Sequence, residues 1–401
     1  MSESVEHIVV VGGGQAGGWV CKTLRREGYQ GRLSVVAKEP EDFYERPPLS
    51  KAVLTDNADL PRLFSAEDVE SLNIDWFRPR TATKLNAAER ALSLDDGQTL
   101  NYDRLVLATG ATPRMPVARW ADNPAVITLR SWQDAQHLKN SLTPGKRLAV
   151  VGGGWIGLEV AASARKLGLE VEVYEVQPRL CGRSIEPEVA SWLQAQHEAE
   201  GVRVHLNVSG LDLQTEDQPG VKLFCDGQTP KHFDVAIVGA GVTFNLDLAR
   251  QAELDIEQGV VVDDQGQTSD PAIFAAGDIA QHPQLGLCIQ SWAFAQNQAM
   301  VVAKALLGQD AHYNEPAWLW SDQYKHNIQI LGIPQPGSQM VLRDDSTGPV
   351  FCSLDSDGRL TQMVAVNQPR AIKLGKRWIE SGRTLDSNSL ADPTFNLMQW
   401  K

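Results

Sequence analysis

Short unbroken apolar runs in this chain are followed by glycine-rich turns and then by helix-compatible stretches, the order expected of β-α-β units. Ile8-Val9-Val10-Val11 ends in Gly12-Gly13-Gly14-Gln15-Ala16-Gly17, a helical stretch runs to Glu27, and a second apolar run covers Leu33 to Ala37. The same order returns at Leu148 to Val151, Gly152-Gly153-Gly154-Trp155-Ile156-Gly157, a helix to Leu167, and Val171-Glu172-Val173-Tyr174. The two units start 140 positions apart, too far for a solenoid repeat, so they predict two nucleotide-binding domains. Leu105-Val106-Leu107-Ala108-Thr109-Gly110 and Asp234-Val235-Ala236-Ile237-Val238-Gly239 read as further buried strands, and Ile273-Phe274-Ala275-Ala276-Gly277-Asp278 closes a strand on a carboxylate. From about Tyr313 the sequence turns aromatic, with Trp318 and Trp320, then strand-like around Val341, Val350 to Leu354 and Thr361 to Val366, which predicts a third, α+β domain.

Each glycine cluster follows a strand, opens a helix and precedes an acid near the end of the next strand, Glu39 and Glu175 respectively. In that setting Gly12 and Gly152 serve the tight turn, Gly14 and Gly154 admit a pyrophosphate to the backbone, and Gly17 and Gly157 allow close helix-strand packing. The helix N-termini offer N–H groups to phosphates, so two dinucleotides are expected.

Composition narrows the class. The 401 residues suggest two or three domains, and 42% hydrophobic and 22% charged residues describe an ordinary packed protein. A net charge of -13 argues against nucleic acid and anionic membranes as partners. Cys21, Cys181, Cys225, Cys288 and Cys352 are scattered, with no spacing that would hold zinc or an iron-sulfur cluster, so no metal centre is expected and a reducing compartment is. Met1 to His7 is polar and acidic, unlike a signal peptide, and no run approaches the roughly 18 apolar residues of a membrane span, so a cytoplasmic protein is expected.

Several motifs together resemble one family. Gly12 to Gly17, Tyr44-Glu45-Arg46-Pro47-Pro48-Leu49-Ser50-Lys51, Ala108-Thr109-Gly110, Gly152 to Glu159, Ala275 to Asp278, Gln290-Ser291-Trp292 and Trp318-Leu319-Trp320-Ser321-Asp322-Gln323-Tyr324 are similar to those of FAD-dependent, NADH-oxidising ferredoxin reductases that serve bacterial Rieske oxygenases and haem monooxygenases. The resemblance runs nearly end to end. It implies an α/β fold of glutathione-reductase type, with two Rossmann-like domains, the NAD domain inserted in the FAD domain, and a C-terminal α+β interface domain. The implied boundaries are 1–110 with 234–312 for FAD, 111–233 for NAD and 313–401 for the interface domain.

Carried over residue by residue, the resemblance assigns the first fingerprint and Glu39 to non-covalent FAD, with Asp278 on the ribityl chain. Ala108, Thr109, Gly110, Arg130, Ser291 and Trp292 join the cofactor-binding set. Arg46 is implied near the pyrophosphate and Lys51 near the flavin ring, with Glu159 as its partner and Trp320 as an aromatic near flavin and nicotinamide. Glu175 sits where a carboxylate binds ribose hydroxyls and would repel a phosphate, so NADH is expected over NADPH. Lys51, Glu159 and Trp320 are the candidate catalytic residues. Two departures stand out, since the family commonly has Glu where this chain has Gln290, and Phe where it has Leu319.

NADH delivers two electrons as hydride and an iron-sulfur cluster accepts one, so flavin is the expected intermediary and a separate [2Fe-2S] ferredoxin the expected acceptor. Arg370, Lys373 and Arg377, at i, i+3 and i+7 of a helical stretch with Lys376 beside them, form the candidate docking face. Monomer or weak dimer is expected. The competing enzyme reading is a flavin-dependent disulfide reductase or NADH oxidase, which needs a thiol at the flavin, and Phe43 to Lys51 contains none. The competing binding reading is a signalling flavoprotein similar to apoptosis-inducing factor.

Overall fold

The computed structural model describes residues 5–56 and 58–400, so of the leading segment Met1 to His7 the first four residues lie outside it. Two compact units are distinguished. Unit 1 comprises Met1–Glu45, Leu60–Thr112 and Val242–Glu315, and unit 2 comprises Arg46–Asp59, Pro113–Gly241 and Pro316–Lys401. Both contain a five-stranded parallel sheet, as the repeated apolar runs predict.

In unit 1 the strands lie in the order Ile273–Ala275, Arg104–Leu107, His7–Val11, Arg32–Val36, Asp75–Phe77. The chain leaves His7–Val11 for one neighbour and later returns to the other, so the end of that strand is the point where strand order reverses. Gly12 stands there. Val10, Val35, Val106 and Phe274 form one cluster with the helices Gln15–Arg26 and Trp292–Leu306, through Val20, Leu24, Ala299 and Val302. The sequence reads as continuous apolar runs because both faces of the sheet are covered. A three-stranded antiparallel sheet, Ala82–Asn86, Ala91–Leu94 and Thr99–Asn101, completes the unit's second cluster through Leu85, Leu92 and Leu94.

Unit 2 repeats the plan in the order Arg203–His205, Glu170–Tyr174, Arg147–Val151, Val235–Val238, Val126–Ile127, with Gly152 at the reversal point. Its C-terminal part is a five-stranded antiparallel sheet, Trp318–Gln323, His326–Gly332, Leu360–Val366, Gly348–Leu354, Gln339–Asp345. On one face of this sheet, Leu331, Val341 and Met363 pack with Ile372, Leu374 and Trp378 of the helix Pro369–Ser381. On the other, Ile328, Ile330, Phe351 and Val364 share a single cluster with Leu158, Val160 and Ala161 of the second fingerprint helix and with Leu193. That shared cluster makes the fingerprint-bearing part and the C-terminal sheet of unit 2 one packed body. Among the described residues no helix is long and apolar enough to cross a membrane.

Candidate functional site

Each fingerprint helix begins directly after the third glycine of its cluster. Gln15–Arg26 is preceded by Gly14 and Trp155–Lys166 by Gly154, and neither helix has a side-chain cap or an acid in its first turn. The contrast with other helices is direct: Ser131 caps Trp132–Ser141 through a capping box with Asp134, and Ser291 caps Trp292–Leu306. First-turn N–H groups without a side-chain acceptor, at the positive end of a helix of three turns, favour an anion.

The glycines are dictated by close approach. Gly12 has φ +132° and a Cβ there would fall on the Ala108 carbonyl, while Gly152 has φ +105° and a Cβ would fall on that of Gly239. A Cβ on Gly17 would overlap the Gly12 carbonyl, and one on Gly157 the Gly152 carbonyl. At Gly154 a Cβ would meet nothing within 4 Å, so this backbone faces open space where a pyrophosphate would lie. The cradle therefore fits the phosphate-bearing cofactors that the fingerprints imply.

Around the first cradle, the half-buried Glu39 accepts a hydrogen bond from the Tyr44 hydroxyl. The Ala108-Thr109-Gly110 turn is held by Asn245, which donates to the Thr109 carbonyl at 2.8 Å and accepts from Thr109 Oγ1 on its own carbonyl at 2.8 Å. Asp278 sits in a single turn of 3-10 helix, Gly277–Ile279, fixed by buried Gln298 accepting from the Gly277 N–H at 2.9 Å. Ser291 uses its hydroxyl as a helix cap, accepting from Phe294 N–H at 3.1 Å, and Trp292 Nε1 donates to Glu45 at 3.1 Å. Asn245 and Gln298 carry no local sequence signal, because an amide contacting backbone outside its own element leaves no short-range pattern.

In unit 2, Glu175 is anchored to the cradle itself, accepting from Gly153 N–H at 2.5 Å and Gln177 N–H at 2.7 Å. Arg46 donates from Nη1 to the Arg130 carbonyl at 2.5 Å. Lys51 Nζ lies 2.6 Å from Glu159 Oε2 and 3.0 Å from the Pro47 carbonyl. Glu159 is 3% exposed, so this is a buried pair and not a solvated one. Two hydroxyls complete it: Ser50 Oγ donates to Oε2 at 2.5 Å and Ser321 Oγ to Oε1 at 2.6 Å. Trp320 stacks on Trp318 with ring centroids 5.4 Å apart and donates from Nε1 to Asp322 at 3.1 Å.

All five cysteines are buried and unpaired. Burial pushes the thiols of Cys21, Cys288 and Cys352 up to about 12. Cys181, next to the second fingerprint, is driven well above its ordinary value by burial and by the charges of Glu159 and Glu175. None is a thiolate nucleophile near neutral pH. Among the described residues no group of His, Cys, Asp and Glu could hold a metal ion.

Comparison with known proteins fits this geometry. The family model for pyridine nucleotide-disulphide oxidoreductases matches residues 6–299, and a reductase C-terminal model matches 318–400. The chain belongs to the pyridine nucleotide-disulphide oxidoreductase family and carries that C-terminal reductase domain; the family uses FAD and NADH. It is 37% identical to the ferredoxin–NAD(+) reductase component of the p-cumate 2,3-dioxygenase system of Pseudomonas putida, covering 99% of both chains. It is 38% identical to the corresponding component of the anthranilate 1,2-dioxygenase system of Burkholderia cepacia, covering 98% of this chain and 99% of that one. Its structure matches the covalent putidaredoxin reductase–putidaredoxin complex with a TM-score of 0.93 at 32% identity, over 99% of this chain and 98% of that one.

Proposed function

We propose that this protein is an NADH-dependent ferredoxin reductase, taking hydride from NADH and passing electrons singly to a separate [2Fe-2S] ferredoxin that feeds an oxygenase. The observation that carries this reading is the pairing of two bare-ended fingerprint helices with a complete lack of reactive thiols. The family's other chemistry, disulfide reduction, requires such a thiol. Bound FAD supplies the conversion between two-electron and one-electron transfer. The chain's residues bind, orient and supply charge. Gly12, Gly14, Gly17, Glu39, Asp278 and the Ala108–Gly110 turn hold FAD, whereas Gly152, Gly154, Gly157 and Glu175 hold NADH. Lys51 places positive charge for the reduced flavin and Glu159 holds Lys51. Segments 1–110 and 234–312 make the FAD domain, 111–233 the NAD domain and 313–401 the interface domain. Five thiols without a disulfide suit a cytoplasmic setting.

Anaerobic NADH should bleach the flavin, and a [2Fe-2S] ferredoxin added afterwards should be reduced in one-electron steps. Efficient reduction of a disulfide substrate with no ferredoxin turnover would overturn the reading.

NADH should be strongly preferred to NADPH. Glu175, fixed on the fingerprint turn, would face the extra phosphate with like charge. Exchanging Glu175 for alanine should lower the NADH-to-NADPH ratio of kcat/KM by about tenfold or more, a difference of ~1.4 kcal/mol. A ratio near one in the unmodified protein would refute the assignment.

The ferredoxin docks on the helix Pro369–Ser381. Ala371, Ile372, Leu374, Gly375 and Trp378 are its buried face, and Arg370, Lys373 and Arg377 are exposed together on the other. Lys376 lies at the margin, 3.9 Å from Glu380, so its charge is partly offset. On a protein of net charge -13 such a face would steer an acidic partner. Reversing Lys373 and Arg377 to Glu should raise the KM for ferredoxin about tenfold at low salt. Near 1 M salt, where screening acts over ~3 Å, the effect should shrink. Flavin bleaching by NADH should be unaffected, and unchanged ferredoxin turnover at low salt would move the docking site elsewhere.

A further inference from the structure

The strand Trp318–Gln323 alternates strictly, with Trp318, Trp320 and Asp322 on one face and Leu319, Ser321 and Gln323 on the other. Ser321 and Gln323 are buried, and they belong to a continuous hydrogen-bonded chain within unit 2. Tyr324 Oη lies 2.8 Å from His197 Nδ1, and His197 Nε2 lies 2.7 Å from Gln323 Oε1. Gln323 Nε2 is 3.0 Å from Ser321 Oγ, which is 2.6 Å from Glu159 Oε1. Glu159 then meets Lys51.

The carboxylate determines the direction of every bond in this chain. Glu159 only accepts, so the single hydroxyl proton of Ser321 points to it. Ser321 must then accept from the Gln323 amide NH2, which turns the Gln323 oxygen toward His197. His197 therefore carries its proton on Nε2, leaving Nδ1 to accept from Tyr324. Burial holds the His197 ring down to about 4, with the Gln323 bond opposing, so near neutral pH the ring is uncharged and the chain is a row of aligned dipoles. All of them point their positive ends at Glu159.

We infer that Ser321, Gln323 and His197 are positioning residues for the Lys51–Glu159 pair, fixing the orientation of the Glu159 carboxylate and, through it, the place of the Lys51 ammonium. The inference rests on the reading of that pair as serving the flavin reaction. A buried carboxylate with several rotamers would present Lys51 with several partners. Ser50 on Oε2 and the Ser321–Gln323–His197 row on Oε1 leave one. Lys51, whose side chain is 18% exposed, is the end of the chain that faces outward, so the order imposed from His197 is delivered there. Pure packing would favour apolar residues in place of this row, because each buried polar group must find a partner.

The test uses the FAD-loaded protein and the variants S321A, Q323L and Y324F, each alone and combined with E159A. A short pulse of acetic anhydride labels accessible amines, and Lys51 acetylation is measured by peptide mass spectrometry against exposed Lys38. S321A and Q323L should raise Lys51 labelling about three- to tenfold, the population change carried by one net hydrogen bond, and Y324F should raise it less. On top of E159A they should add nothing, because their effect passes through that carboxylate. Unchanged labelling in S321A and Q323L, or increments that persist in full on E159A, overturns the inference. Should Q323L fail to fold, S321A, which removes one oxygen, decides alone. The anaerobic rate of flavin bleaching by NADH, followed in parallel, should fall as labelling rises. Raised labelling with an unaltered bleaching rate leaves the positioning role standing and rejects the assignment of the pair to the flavin reaction.

Discussion

Gly17→Ala should yield a protein that loses its FAD. The new methyl would sit on the Gly12 carbonyl, a backbone atom that cannot rotate away, so the helix Gln15–Arg26 must lift from the strand His7–Val11. Displacing the N-terminal turn by even 1 Å takes its N–H groups off the phosphates, and charge-assisted hydrogen bonds of about 1.5–3 kcal/mol each are lost. With two such bonds broken, FAD affinity should fall by about two orders of magnitude or more. The flavin-to-protein absorbance ratio after gel filtration reads this directly. Gly157→Ala makes the matching clash with Gly152 in unit 2, and it should spare FAD content while weakening NADH. The two variants thus also test which fingerprint serves which cofactor. Full FAD retention by Gly17→Ala, or FAD loss from Gly157→Ala alone, would reverse the assignment.

The largest stability effect is expected at Glu172, which belongs to the strand Glu170–Tyr174, three residues before Glu175. Its carboxylate is 1% exposed. It accepts from Lys231 at 2.7 Å, His205 at 2.8 Å, Arg203 at 2.9 Å and the Tyr174 hydroxyl at 3.0 Å. Burial by itself would raise this carboxyl, but the bonds from Lys231, His205, Arg203 and Tyr174 outweigh it and hold it at about 2. Substituting Gln leaves the cations facing a neutral amide. Breaking a buried pair costs about 3–5 kcal/mol, and because Lys231 and Arg203 reach solvent the expected loss is ~2–3 kcal/mol, read from urea midpoints. The pH dependence follows from the depressed value. An unfolded chain takes up this proton near the ordinary 4.5, while the folded one resists to about 2, so the stabilisation is complete above ~4.5 and is lost as pH falls toward 2. Over that window the unmodified protein should converge on Glu172→Gln. Equal stability at pH 7, or a gap that stays constant to pH 3, would remove Glu172 from the list of stabilising groups.

Legibility divides by the range of the interactions. The fingerprints were readable because strand, glycine turn and helix follow one another within a short stretch: Gly17 and Gly157 meet backbone five residues back, even though Gly12 and Gly152 meet the turns after neighbouring strands at Ala108 and Gly239. The basic face of Pro369–Ser381 was readable from helical period, and the buried Lys51–Glu159 pair from family resemblance. Ser50, Ser321 and Gln323 stand inside the quoted motifs, but their roles and that of His197 were not readable, since serine and glutamine occur everywhere and the partners that define the row lie more than a hundred residues away. Glu172 was hidden by its own strand. A Val-Glu-Val-Tyr alternation suggests one solvated face, and only cations from three other segments, Arg147, Arg203 and Lys231, reveal that the face is covered. The short antiparallel strands at Ala82–Asn101 and Asp212–Phe233 carry too few apolar positions each to announce themselves.

The strand Trp318–Gln323 ties its two faces to one register. A strand presents successive residues to opposite sides, so a single inserted or deleted residue upstream would exchange the faces, sending Trp320 inward and Ser321 outward at once. The aromatic pair and the polar row are thereby inherited as a unit: substitution can retune either one, but the shift of a single residue cannot alter one and keep the other.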